Sequence, residues 1–126
     1  MIGSKLRVVD SSVWLEFLAD EPRAEEFYRL MEPVETILLP TVVVYEVSKK
    51  LRATRGPLAA EQFISVAQRA QLVSLDHDIA VAAASVSLDH RLAMADAMIY
   101  ATARAFQVQL FTSDAHFDGL PGVQLL

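Results

Sequence analysis

The chain alternates brief apolar runs with longer stretches in which apolar residues recur every three or four positions. Leu6 to Val9 is one such run; it carries Val8-Val9, stops at polar Ser11 and Ser12, and so reads as a buried strand ending at Asp10. Val13 to Leu18 turns helical. Asp20 followed by Pro22 predicts an N-cap and an early helical proline for a second amphipathic helix through about Met31. Glu35 to Leu39 predicts a second strand closed by Pro40, and Thr41 then caps a third helix through about Thr54. Val43, Val47 and Leu51 mark the inner face of that helix, with Lys49, Lys50, Arg52 and Arg55 outward or toward its end.

Gly56-Pro57 reads as a turn before a helix over Leu58 to Ala70, and Leu72 to Leu75 predicts a third strand. Asp76 or His77 starts an alanine-rich helix running toward Ser87, and Asp89 is expected to cap the element that follows. A helix over Leu92 to Ala103 comes next. A fourth strand over Gln107 to Phe111 is interrupted at Thr112-Ser113-Asp114; a turn from Phe117 to Pro121 and a short edge strand over Val123 to Leu125 complete the series. Strands separated by helices throughout predict an α/β fold with a central, mainly parallel sheet and helices on both faces. No repeat, low-complexity stretch or linker interrupts the 126 residues, so one domain over 1–126 is expected. In such a fold, sites are built where the chain leaves the carboxyl ends of the strands, and Asp10 and Asp114 both fall there.

A content of 53% hydrophobic and 21% charged residues excludes a disordered chain and leaves apolar surface for dimerisation. The longest apolar run, Ile37 to Tyr45, contains Pro40 and falls far short of the roughly 20 residues that span a bilayer. MIGSKLRVVDSSVW shows no signal-peptide pattern, and the absence of cysteine excludes a disulfide framework and a thiolate metal site. These features lead to the expectation of a cytoplasmic protein with no membrane association. The net charge of -5, eleven Lys plus Arg against sixteen Asp plus Glu, argues against a nucleic-acid binder unless several acids are gathered around a metal.

Evidence for such a gathering begins in LAMADAMIYATA, Leu92 to Ala103, whose only charged residue is Asp96. A helix apolar on nearly every side is normally enclosed by protein, and an unpaired carboxylate there costs several kcal/mol or takes up a proton. No lysine or arginine lies one turn away at positions 92, 93, 99 or 100. Compensation must come from farther along the chain or from a cation. Asp10 and Asp114 at strand ends and Glu46 beside Val43 and Val47 are the other acids in comparable positions. If the first and fourth strands are neighbours, their end residues lie about 5 Å apart, close enough for like charges to disturb one another unless a cation intervenes. Magnesium or manganese answers that need and equips the site for phosphodiester hydrolysis, with no histidine or cysteine required. Each acid also has a purely structural alternative: Asp10 as a helix cap, Glu46 as a solvated residue, Asp114 in an Asx turn, and Asp96 near a favourable helix dipole.

Four segments carry a resemblance. Val9-Asp10-Ser11-Ser12-Val13, VVVYEVSKKL around Glu46, LAMADAMIYATA and LFTSDAHFDGLPGV resemble the four ordered motifs of the PIN-domain ribonucleases, most closely the VapC-type toxins of bacterial and archaeal toxin-antitoxin operons. The likeness covers nearly the whole chain. It implies a three-layer α/β/α sandwich, a homodimer open to larger toxin-antitoxin assembly, RNA cleavage dependent on Mg2+ or Mn2+, and a VapB-type antitoxin whose tail enters the active-site groove. Candidate RNAs implied by it are tRNA, particularly anticodon loops, and ribosomal RNA.

By position, Asp10, Glu46, Asp96 and Asp114 match the family's metal-binding catalytic acids, and Ser12 and Thr112 match small hydroxyl positions expected to orient carboxylates or water. Many members carry a further acid two residues beyond the one matched by Asp114, and here that position is His116. The departure puts a second metal in question and leaves His116 as a phosphate contact or a surface-loop histidine. Lys49, Lys50 and Arg52, with Arg55, are candidates to guide an RNA backbone, against the alternative of a solvated face; His90 and Arg91 are weaker candidates of the same kind. Trp14 and Phe17 are read as core or as part of an interface, and Asp76, Asp78, Asp89 and Asp118 as capping or solvated residues.

Three other readings compete. An aspartyl phosphatase of the HAD-like class would also put Asp at the end of a first strand, but it needs an acid where the chain has Ser12 and a phosphate-clamping lysine. A phosphorylation-dependent receiver module would need an acid before Asp10 and a lysine on a late strand. A catalytically inactive PIN-fold binding module is opposed by the complete acidic set.

Overall fold

The computed structural model describes residues 5–19 and 23–126. The expected cap at Asp20 and helical Pro22 lie outside the described residues. The elements are β1 (Arg7–Val9), α1 (Ser11–Leu18), α2 (Ala24–Met31), β2 (Ile37–Pro40), α3 (Thr41–Arg55), α4 (Pro57–Ala67), β3 (Gln71–Val73), α5 (His77–His90), α6 (Met94–Ala105), β4 (Leu110–Thr112) and β5 (Val123–Leu125). Short 3-10 turns occupy Val34–Thr36 and Ala115–Phe117.

Hydrogen bonding orders the strands β3-β2-β1-β4-β5, and every pairing is parallel. With the helices on both faces this is a three-layer α/β/α sandwich. The central strand β1 pairs Val8 with Leu38 on one side and with Leu110 on the other. Parallel neighbours share a carboxyl edge, so the exits of β1, β2 and β4 open together, and the pairing of Val9 with Phe111 carries Asp10 to the level of Thr112.

The core consists of the inward faces of these layers, with Val8, Val9, Ile37, Leu39, Val43, Val47, Ile99, Leu110 and Phe117 fully or almost fully buried. Burying each such side chain stabilises the fold by about 1.5–3 kcal/mol. Trp14 is 0% exposed and meets Phe63 edge to face at 5.5 Å, which settles it as core; Phe17 is partly buried. β1 also holds a buried cation. Arg7 is 1% exposed, and its guanidinium donates to the carbonyls of Lys5, Leu30 and Glu32 and to Thr36 Oγ1. It thereby ties the end of α2 to the sheet, and burial draws its pKa below the usual value.

Several boundaries differ from the sequence reading for local reasons. β4 starts three residues later than expected because Gln107 and Val108 still close the end of α6, Gln107 with φ 55 and its N–H donating to Arg104 O. β3 lies at Gln71–Val73, at the sheet edge, and leaves Leu72 and Leu75 exposed. Thr41 supplies no cap, since Pro40 holds that position without a side-chain hydrogen bond, and α3 runs on to Arg55. Asp76 does cap α5, accepting from Ile79 N at 2.8 Å. Asp89, by contrast, caps nothing: α5 continues through His90 and stops where Arg91 takes φ 56. At Gly56, φ 92 allows α3 to pass directly into α4, whose first residue is Pro57.

Candidate metal centre

Asp10 stands at the N-cap position of α1, yet its side chain makes no capping bond. It is 2% exposed and held by hydroxyls instead. Ser12 Oγ donates to its Oδ2 at 2.7 Å and Thr112 Oγ1 donates to the same oxygen at 2.8 Å. Each hydroxyl also accepts a backbone N–H, Ser12 from Ser113 at 3.2 Å and Thr112 from Asp114 at 3.0 Å. The Asp10 carboxylate thus clasps the start of α1 to the end of β4. Ser11 Oγ donates to Glu46 Oε1 at 2.7 Å and lies 3.4 Å from Asp10 Oδ1, which brings the α3 acid beside the β1 acid.

Asp96 reaches the same place from the first turn of α6 and is half-buried. Its carboxyl pKa is raised from 3.8 to about 6, first by burial and then by the charges of Asp10, Asp114 and Glu46, with His116 opposing. The favourable end of the helix dipole does not offset that crowding. Asp114 follows β4 by two residues; its Oδ1 accepts from His116 N at 2.9 Å and lies 2.8 Å from His116 Nδ1. Asp114 therefore forms the anticipated turn and joins the acids as well. Asp96, Asp114 and His116 each present a ligand atom, all within 4.8 Å of one another.

Four acids from separate elements converge, and among the described residues neither a lysine nor an arginine is one of the charges that shift Asp96. A donor set of carboxylate oxygens with one imidazole fits a hard or borderline divalent cation, which would relieve the repulsion that raises the Asp96 pKa.

Ser12, Thr112 and His116 are thus gathered with the four predicted acids. Lys49 and Lys50 are exposed on α3 and line, with Ser11, Leu15, Tyr45, Glu46 and Ala53, a cleft of about 370 Å3 beside the acids. Lys49 Nζ sits over the Tyr45 ring at 5.5 Å. Arg52 is the candidate the fold sets apart. It lies about 120° around the helix from Glu46, against about 60° and 40° for Lys49 and Lys50, and lines neither this cleft nor its neighbour. His90 is engaged edge-on with the Tyr100 ring.

Two contributors escaped the sequence reading. Ser11 bridges Glu46 and Asp10, and Glu16 accepts from Ser113 Oγ at 2.9 Å while lying 3.6 Å from Arg23 Nη1. Glu16 is one helical turn beyond Ser12, a spacing that places both on one face of α1 and was the available signal.

Among solved structures, the chain is similar to a toxin-antitoxin complex from Klebsiella pneumoniae, with TM-score 0.80 and 18% identity over 94% of this chain and 95% of that one. It is also similar to VapC20 of Mycobacterium tuberculosis, described as a sarcin-ricin loop cleaving toxin, with TM-score 0.77 and 19% identity over 94% and 97% of the two chains. DNA-bound VapBC from Salmonella typhimurium gives TM-score 0.74 and 12% identity, covering 97% of each chain. At such identities the likeness is one of fold. No curated protein matches the sequence. Residues 7–123 match the PIN domain family.

Proposed function

The chain belongs to the PIN domain family, and from that membership we propose that it is a metal-dependent endoribonuclease, a VapC-type toxin that hydrolyses RNA phosphodiester bonds and is neutralised by a VapB-type antitoxin. The observation that carries this reading is the meeting of Asp10, Glu46, Asp96 and Asp114, with the Asp96 pKa raised to about 6 by burial first and by the charges of the other three second. In this reading the four acids hold Mg2+ or Mn2+. A divalent cation held there would lower the pKa of a water and offset negative charge on the phosphate.

The protein's own groups supply the rest. Ser12 and Thr112 fix Asp10 through Oδ2, leaving Oδ1 with only the 3.4 Å contact to Ser11 Oγ, and Ser11 holds Glu46 through Oε1. Lys49 and Lys50, beside the acids, draw in the RNA backbone; Arg52 contributes at most to the general field. An antitoxin partner is supported by the toxin-antitoxin assemblies among the similar folds. A homodimer is supported by the exposed apolar side chains Leu72, Leu75, Val81, Leu88 and Met94. We place the protein in the cytoplasm as one domain; no helix among the described residues is long and apolar enough to cross a membrane.

The aspartyl phosphatase reading is weakened because Asp10 Oδ2, one of its two oxygens, already accepts two hydroxyl protons, and Ser12 stands where a second acid is needed. The test is Asp96→Asn. Cleavage of total RNA by the purified variant with Mg2+ or Mn2+ should fall at least about 100-fold, and chelation should abolish wild-type cleavage. Full activity in either case would remove the proposal.

A further inference from the structure

His116 occupies the position where the family pattern commonly has an acid, and the fold does not leave it to wander. Asp114 accepts the His116 N–H at 2.9 Å and so starts the 3-10 turn Ala115–Phe117. Phe117, the last residue of that turn, is 0% exposed and anchors it in the core. Between these two fixed points, the ring is brought back over Asp114, with Nδ1 2.8 Å from Oδ1. The side chain is nevertheless 81% exposed. It is accessible to solvent and to an incoming ion while its backbone is fixed.

We propose that His116 is a ligand of the divalent-cation site, one ring nitrogen joining the carboxylates of Asp96 and Asp114, and that this imidazole makes the site prefer Mn2+ to Mg2+. The inference rests on the reading of the acids as a cation site and adds the identity of a donor and its consequence for ion choice. Geometry supports it first. Neighbouring ligands of an octahedral ion with bonds of about 2.1 Å lie about 3 Å apart and opposite ones about 4.2 Å apart. The 2.8 Å separation of His116 from Asp114 is near the shorter spacing, and all three donors lie within 4.8 Å of one another, close enough for a small shift to bring them onto one ion.

Donor chemistry then sets the selectivity. Mg2+ takes oxygen ligands, holds its waters and gains little from a nitrogen donor. First-row transition ions accept imidazole readily, and Mn2+ is the one among them that is also at home with carboxylate and water. An aspartate at position 116 would give an all-oxygen set suited to either ion. The histidine tilts the balance.

The experiment compares the purified wild-type chain with His116→Asp and His116→Ala. Because the side chain is largely exposed, both variants are expected to fold, which far-UV circular dichroism and thermal melting check. Mn2+ binding is followed by the electron paramagnetic resonance signal of the free ion, Mg2+ binding by competition, and the ligand by nitrogen modulation of the spin echo of bound Mn2+. Wild-type protein should show nitrogen coupling that both variants lose. His116→Ala should weaken Mn2+ binding by about 10- to 100-fold, on the scale of removing a metal-site partner, with a smaller effect on Mg2+. His116→Asp should reduce the Mn2+ to Mg2+ preference by about tenfold or more. Bound Mn2+ without nitrogen coupling, or an unchanged preference in both variants, would overturn the role of His116 and leave the cation site intact. Failure of the wild type to bind either ion would overturn the cation site itself, and this proposal with it.

Discussion

Arg7 and Asp10 lie three positions apart on and beside β1, both almost fully buried, and the chain treats their charges in opposite ways. The five N–H donors of the Arg7 guanidinium are matched by five hydrogen bonds to acceptors of the same chain. Nothing there remains to be satisfied from outside. At the other end of the strand, Asp10 has its two hydroxyl donors, but the carboxylates around it answer its charge with more of the same. A buried charge that the chain compensates in full is structural, whereas acids gathered without a basic partner fit the cation site proposed above.

The comparison can be broken most forcefully at Arg7. Arg7→Leu would strand the carbonyls of Leu30, Glu32 and Lys5 and should destabilise the fold by about 3–4 kcal/mol, lowering the melting temperature by roughly 10 °C or more. A loss under 1 kcal/mol would show that water replaces the guanidinium.

Neutralising the acid should have the opposite sign. In protein stripped of divalent ions, Asp96→Asn should stabilise by about 1–2 kcal/mol at pH 7, a figure reduced for its half-exposure. The folded pKa of about 6 exceeds 3.8, so between these values the native state holds more protons than the unfolded one and wild-type stability falls as pH rises. The advantage of the variant should therefore be full above about pH 6 and vanish below about pH 4 in denaturant titrations at a series of pH values. An advantage independent of pH would point to packing instead. The smallest effect is expected outside the acids: Lys49→Ala and Lys50→Ala should each reduce the salt slope of RNA binding by about one, whereas Arg52→Ala should leave it nearly unchanged. Equal slopes for all three would return these residues to a solvated face.

The order of elements was legible because each helix and strand buries one face, and that requirement is written locally in the apolar pattern. The acids were legible for a related reason: Asp96 in an apolar helix without a basic neighbour one turn away is out of place on its own terms. Arg7 was hidden inside an apolar run because its acceptors belong to residues 5, 30, 32 and 36, which only the fold assembles. Ser11 escaped for the same reason, since Glu46 is 35 positions away. Charge alone groups Arg52 with its neighbours, although helical rotation separates them. Asp89 reads as a cap from sequence, but the end of α5 is set by the left-handed backbone of Arg91, a conformation with no glycine to announce it.

The hydroxyl clasp on Asp10 also governs timing. Its two halves, Asp10 and Thr112, stand 102 positions apart, so the ribosome must deliver everything between them before they can meet. A growing chain carries Asp10 early, but that carboxylate lacks its second hydroxyl donor until β4 has emerged and docked.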